Sequence, residues 1–200
     1  MEKPLRGYLA ESNVAGVAAL LRGGGVAVLP TDTIYGLHCA ASDAAAVRRI
    51  RKIKGRGSGS AFILLVSDME MADRVVARWP RGARELLSRI WPAPLTAILP
   101  ASEGIDAAPA SKGTVAVRIP ALRELRRCIE RVGCPLVSTS VNPSGQKPLT
   151  KMSEIRREVP GLDAYISQRG RPASKPSTIV DMTAAPPRLV RQGRFSWPAG

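Results

Sequence analysis

The stretch Val26-Ala27-Val28-Leu29-Pro30-Thr31-Asp32-Thr33-Ile34-Tyr35-Gly36-Leu37 reads as a short buried strand that empties into a polar loop. The apolar run Val26–Leu29 stops at Pro30, which has no N–H to donate to a ladder. Two threonines flanking an aspartate follow at once. Upstream, Glu11–Leu21 carries Val14, Val17, Leu20 and Leu21 at helical spacing and ends in Gly23-Gly24-Gly25. Downstream, Ser42-Asp43 is a good N-cap for a second helix running to about Lys54. Val47, Ile50 and Ile53 face inward there, and Arg48, Arg49, Arg51 and Lys52 line the outer face. A helix, a strand and a helix around one polar loop set the theme for the chain.

Further on, the pattern predicts strands at Phe62–Val66, Leu95–Leu99, Val115–Ile119, Leu136–Ser140, Tyr165–Ser167, Thr178–Asp181 and Leu189–Arg191. Helical stretches are predicted near Asp68–Ala77, Gly82–Ile90, Leu122–Val132 and Ser153–Val159. Strands alternate with helices early and cluster late, which argues for an α/β fold with a mixed rather than purely parallel sheet. The segment after Arg191 reads as a loose tail. No internal repeat, heptad or long linker interrupts the chain, and 200 residues fit one domain.

Composition removes several classes. No run of about 18 apolar residues is present, so no membrane-spanning helix is expected. The N-terminal stretch lacks the layout of a signal peptide, which makes the cytoplasm the expected compartment. Cys39, Cys128 and Cys134 form no CxxC and no metal-like spacing with His38, the single histidine. The net charge of +14, from 30 Lys and Arg against 16 Asp and Glu, attracts polyanions such as RNA or a nucleotide triphosphate.

The chemistry-bearing residues fall where strands end. Ligands in open α/β sheets tend to bind beyond the carboxyl ends of strands. Val26–Leu29 delivers the Thr31–Thr33 loop, Leu136–Val137 delivers Ser138, Ser140 and Asn142, and Val115–Val117 delivers Arg118. Lys54 and Arg56 add two cations at a helix end beside a Gly/Ser loop, a combination suited to phosphate. That loop is neither a Walker A loop nor a GxGxxG turn. Serine hydrolysis fits poorly, since no GxSxG elbow exists and His38 would be the only base. A His38–Cys39 nucleophile pair fits poorly too, because adjacent residues seldom aim side chains at each other. Positioning and charge neutralisation suit the inventory better than covalent catalysis.

Seven stretches occur in a telling order: LPTDTIYGL at Leu29–Leu37, Lys54-Gly55-Arg56, PAPLT at Pro92–Thr96, VAVRIP at Val115–Pro120, STSVNPSG at Ser138–Gly145, PSTIVD at Pro176–Asp181 and LVRQG at Leu189–Gly193. In this the chain resembles the YrdC/Sua5 family over about residues 10–195, in its short, single-domain branch. The resemblance implies a twisted open mixed sheet flanked by helices around a deep basic cavity. It also implies threonylcarbamoyl-AMP synthase activity: L-threonine, bicarbonate and ATP give threonylcarbamoyl-AMP and pyrophosphate, normally with Mg²⁺. A separate tRNA-modifying transferase complex then places the group on a tRNA adenosine. Carried over residue by residue, Lys54, Arg56, Ser140 and Asn142 match the phosphate-binding set, with Lys54 and Arg56 as the catalytic cations. Arg191 matches an ATP-side arginine. Thr31, Arg118, Ser138 and Ser177 match the threonine site, with Thr33 and Tyr35 shaping the cavity. No metal ligand is assigned.

The chain departs from the family pattern at Gly57 and Ala61, where prolines are usual, and at Ala93, where glycine is usual. Two other readings stay open at this point. One is a non-catalytic RNA- or tRNA-binding protein using the same basic cavity, which the charge favours and the 4% aromatic content disfavours. The other is a carbamoyl-adenylate former, as in the related domain of hydrogenase-maturation carbamoyltransferases.

Overall fold

The computed structural model describes residues 3–55, 62–103, 113–142, 146–170 and 175–198. Arg56, Gly57 and Ala61 lie outside the described residues, as do the last three residues of STSVNPSG. In chain order the elements are β1 (Leu5–Tyr8), α1 (Glu11–Arg22), β2 (Ala27–Leu29), β3 (Gly36–Ala40), α2 (Ala44–Lys54), β4 (Ile63–Leu65), α3 (Met69–Val75) and α4 (Ala83–Ile90). There follow β5 (Leu95–Pro100), β6 (Thr114–Arg118), α5 (Arg123–Val132), β7 (Leu136–Ser140), α6 (Met152–Glu158), β8 (Ala164–Ser167), β9 (Thr178–Asp181) and β10 (Arg188–Arg191).

Ten strands form one mixed sheet among the described residues, in the order β1-β8-β2-β3-β7-β4-β6-β5-β9-β10. Parallel pairs (β1 with β8, β2 with β8, β4 with β6, β5 with β9) are mixed with antiparallel ones (β2 with β3, β3 with β7, β4 with β7, β5 with β6, β9 with β10). The expected mixed α/β class therefore holds.

The helices form for the anticipated reasons. In α2 the Asp43 carboxylate accepts the Ala46 N–H at 2.9 Å, and Ala46, Val47, Ile50 and Lys54 are buried. Arg51, Lys52 and Lys54 fill its last turn, where the helix dipole favours cations. In α1, Val14, Val17, Ala18 and Leu21 form the buried stripe, and this helix packs along α5, whose Leu125, Cys128, Ile129 and Val132 are buried. The core is aliphatic, with Leu29, Leu37, Ile50, Leu64, Leu65, Leu95 and Leu99 fully enclosed.

Two strands have no counterpart in the sequence reading. β1 is short and mostly exposed, and parallel pairing with β8 recruits it. β3 matters more. Its sequence, Gly36-Leu37-His38-Cys39-Ala40, has no clean alternation, yet all five residues are buried between β2 and β7. Pairing on both sides overrides weak local propensity there. The chain after Pro30 is thus a tight connection that turns straight back into the sheet.

Candidate functional site

Register places the site residues. Gly36 pairs with Ser140 and His38 with Ser138 across β3 and β7, and Ser138 pairs with Ile63 of β4. Ile63 in turn pairs with Ala116 of β6, and Arg118 stands two residues further along that strand. Directly paired residues, and residues two apart on a strand, share one face of a sheet. Gly36, His38, Ser138, Ser140, Ile63 and Arg118 therefore all project from the same face.

A cavity of about 410 Å³ lies over that face, lined by Gly36, Ile63, Arg118, Ser138, Ser140 and Ile179 among others. Its walls include Thr31, Thr33, Tyr35, Phe62, Pro148, Pro176, Ser177 and Arg191. This corrects the expectation of a site beyond the strands' carboxyl ends. Because β7 runs antiparallel to β4 while β6 runs parallel to it, Ser140 and Arg118 end their strands at opposite edges. A mixed sheet has no common carboxyl edge, so connections folding back over one face enclose the ligand space instead.

One wall is a directed chain of hydrogen bonds. The Thr31 hydroxyl donates to the Ile34 carbonyl at 2.9 Å, and its oxygen accepts the Thr33 N–H at 3.0 Å. The two hydroxyls, Thr31 Oγ1 and Thr33 Oγ1, lie 2.8 Å apart. Since Thr31 has already given its proton to Ile34, Thr33 is the donor between them. Arg118 Nη1 donates to Thr33 Oγ1 at 3.1 Å. Arg118 is a buried guanidinium, 3% exposed, whose pKa is pushed down by burial, held up by Asp32 and lowered further by Arg191. Thr31 thus builds the wall that aims Arg118, and Thr33 is its direct hydrogen-bond partner.

The second wall is centred on Lys54, which is buried at the end of α2. Its Nζ donates to Ser140 O at 2.8 Å, Asn142 O at 2.6 Å and Asn142 Oδ1 at 2.8 Å. Ser140 Oγ donates to Asn142 Oδ1 at 2.5 Å, and Asn142 Nδ2 donates to Gln146 O at 2.5 Å. Lys54, Ser140 and Asn142 therefore form one cluster at the end of β7, with Ser140 on the cavity surface. The ammonium fixes the backbone of this turn while placing a positive charge beside the cavity.

The third wall comes from the C-terminal strands. Ser177 precedes β9, and its hydroxyl lies 2.9 Å from that of fully buried Thr96. Arg191 Nη2 and Nε donate to Ser177 O at 2.9 and 3.2 Å, so this arginine reaches across to the cavity. The segment beyond it, expected to be loose, is docked. Gly193 N donates to Thr178 Oγ1 at 2.9 Å, Arg194 N to Pro176 O at 2.9 Å, and Arg194 Nη1 to Asp32 O at 2.6 Å. Phe195 and Trp197 pack on the core. A Cβ at Gly193 would lie 2.4 Å from Pro176 O and Ser177 C, so only glycine allows this approach.

On the same face as the cavity, Gly36 makes room for the neighbouring His38: an added Cβ would meet His38 Nε2 at 2.6 Å. His38 is fully buried and its pKa is pushed down to about 3, by burial first and then by the Arg118 charge. Burial likewise raises the Cys39 thiol to about 12. A neutral imidazole and a protonated thiol, projecting from opposite faces of β3, make no nucleophile pair.

Of the site residues expected from the sequence, Thr31, Arg118, Ser138, Ser140, Ser177 and Arg191 line the cavity, as do Thr33 and Tyr35. Lys54 and Asn142 join it through Ser140, and Arg56 lies outside the described residues. The sequence reading missed Gly36, Thr96 and the half-buried Asp32 as parts of the site. For Gly36 and Asp32 the signal was present, since both stand inside the Leu29–Leu37 motif. Ala93, a departure from the family pattern, is buried, and its N–H donates to Ile119 O at 3.1 Å. Among the described residues no helix is long and apolar enough to cross a membrane, and no group of three or more His, Cys, Asp or Glu could hold a metal.

Comparison with known proteins agrees with this architecture. The family model Sua5/YciO/YrdC, described as telomere recombination, matches residues 19–193. A threonylcarbamoyl-AMP synthase of Thiobacillus denitrificans is 34% identical over 168 residues, covering 84% of this chain and 89% of that protein. One of Chromobacterium violaceum is 36% identical over 174 residues, covering 86% and 88%. The crystal structure of Pyrococcus abyssi Sua5 complexed with L-threonine matches with a TM-score of 0.83 at 32% identity, covering 95% of this chain and 56% of that one. With a matched family model over most of its length and such relatives at more than 30% identity, the chain belongs to the Sua5/YciO/YrdC family.

Proposed function

We propose that this chain is a threonylcarbamoyl-AMP synthase, joining L-threonine, bicarbonate or CO₂, and ATP into threonylcarbamoyl-AMP and pyrophosphate for tRNA modification. The observation that carries the reading is the cavity itself. Two arginines and a set of hydroxyls line it, and among the described residues no carboxylate does. Its volume suits a small polar ligand. The relatives that share its fold and most of its length carry that activity in their names, and a solved relative holds L-threonine.

In this reading Arg118 binds the carboxylate of threonine, since a planar guanidinium takes both oxygens of a carboxylate. Ser138 and Ser177 hold its remaining polar groups, with Thr31 and Thr33 keeping Arg118 in place. The threonine nitrogen, once deprotonated to the free amine, adds to the carbon of CO₂ and gives up an N–H proton to solvent, forming an N-carboxylate; starting from bicarbonate, the same bond forms with loss of water. That carboxylate oxygen then bonds to the α-phosphorus of ATP as the bond to the pyrophosphate oxygen breaks. Ser140, Asn142, Lys54 and Arg191 bind the nucleotide's phosphates by charge and by fixed polar atoms, and Arg56 is assigned the same role from the sequence. Mg²⁺ neutralises triphosphate charge when present. With no acidic cluster among the described residues, it would be held by phosphate oxygens and water rather than by a protein cage. The product passes to a tRNA-modifying transferase, in keeping with a cytoplasmic protein.

Pyrophosphate release measured with ATP, bicarbonate and either L-threonine, L-serine or no amino acid tests this. Release should require the amino acid, and Arg118→Lys, which keeps the charge but loses the fork, should raise the threonine KM about tenfold. Salt-sensitive tRNA binding with no threonine-dependent release would select the RNA-binding reading instead. Release supported by carbamoyl phosphate in place of threonine and bicarbonate would select a carbamoyl-adenylate former.

A further inference from the structure

Asp32 is an anomaly beside the cavity. Its side chain is only 10% exposed, and neither carboxylate oxygen has a hydrogen-bond partner. The charged group facing it is Arg118, with Nη2 3.7 Å from Oδ1, an ion pair without a hydrogen bond. Arg118 is equally unfinished. Nη1 donates to the neutral Thr33 hydroxyl, while Nε is buried with no partner. Buried polar groups are nearly always paired, and buried charges more so, because desolvation is otherwise uncompensated. Two opposite charges thus face one another at close range, each with hydrogen-bonding capacity in reserve.

The cavity explains the reserve. Arg118 lines it and Asp32 does not, so an incoming carboxylate reaches the guanidinium from the cavity while Asp32 stays outside it. Once it arrives, two carboxylates surround one guanidinium. We propose that Asp32 is a placeholder anion: it neutralises Arg118 in the empty site and competes with the substrate carboxylate for that charge, deliberately weakening amino-acid binding. It is a positioning residue that touches no substrate atom. The proposal rests on the reading of Arg118 as the clamp for the threonine carboxylate.

The consequence has a sign that a merely structural role does not share. Asp32→Asn preserves shape but leaves Arg118 buried without its counter-ion until ligand supplies one. The empty protein should therefore be less stable, yet L-threonine should bind at least threefold tighter and raise Tm by more than in the wild type. Isothermal titration of the full chain with L-threonine and with L-threoninol, which lacks the carboxylate, reads this directly. The gain should be absent for threoninol. Equal or weaker threonine binding in Asp32→Asn overturns the proposal, as does a gain shared by threoninol. If Asp32→Asn does not fold, the double variant Asp32→Asn/Arg118→Gln decides: removing both charges should restore stability, and a double variant no more stable than the single one overturns the pairing. A wild type that ignores threonine sinks the clamp reading and this inference with it. A wild type that binds threonine without tightening in Asp32→Asn sinks only the inference.

Discussion

His38 is fully buried beside Gly36 on one face of β3, and its titration follows from that position. In an unfolded chain the imidazole titrates near pH 6.5, whereas in the fold burial and Arg118 hold it neutral down to about pH 3. Between these values the unfolded form binds a proton that the native form refuses, so stability is full above pH 6.5 and drains away as pH falls. At pH 5 the linkage amounts to roughly 2 kcal/mol. Urea unfolding at pH 7.5 and pH 5 should therefore show His38→Gln losing about 2 kcal/mol less across that interval than the wild type. An unchanged pH dependence would mean the imidazole is protonated in the native state. Most of the site's polar residues were legible before the fold was known, Asp32 and Thr96 excepted, but not their pairings. Nothing local in Thr31-Asp32-Thr33 says that Thr33 receives Arg118 or that Asp32 opposes it, because Arg118 stands 85 residues beyond Thr33.

At the scale of elements, β3 is the decisive strand. It joins the β2 and β8 side of the sheet to β7 and the strands beyond, and it carries the cavity floor. Gly36 is the one position where the pocket surface and the His38 ring compete for the same space. Gly36→Ala should destabilise the protein by about 1–3 kcal/mol through overpacking. In a His38→Ala background most of that loss should vanish, a coupling of at least about 1 kcal/mol in a double-mutant cycle followed by urea unfolding. Additive effects would place the strain elsewhere, the Thr139 carbonyl at 3.3 Å being the other close neighbour. At the N-terminus of α2, Asp43→Ala removes the side-chain cap and should lower stability by about 1 kcal/mol, with Lys54 at the far end of the same helix. β3 was missed because its strand character comes from two neighbours rather than from its own alternation, whereas α1, α2 and α5 were legible from periodicity alone.

Across the whole molecule, residues at both ends of the chain meet at the site. Arg194 binds the backbone of Asp32, and Gly193 nests on Pro176 and Ser177. Gly193→Ala must push back main-chain atoms, displacing Ser177 and with it the Arg191 contact. Threonine-dependent pyrophosphate release should fall on the order of tenfold to a hundredfold, since small misplacements of positioning groups are amplified in rate. Circular dichroism melting should show the fold retained. A variant with wild-type release would show that the docked segment plays no part in the site.

The sequence alone determined the α/β class, the mixed sheet, most element positions, the family and most of the polar side chains on the cavity wall. These depend on local patterns: periodicity, caps, Pro and Gly stops, and short motifs in a fixed order. Only the tertiary structure decided that the cavity lies over a sheet face, that Lys54 is bonded to the end of β7, that the segment after Arg191 is docked, and that Asp32 confronts Arg118. Strand direction, pairing partners and burial are set by contacts between distant stretches of chain, and no local spacing encodes which of two polar residues will meet once water is excluded.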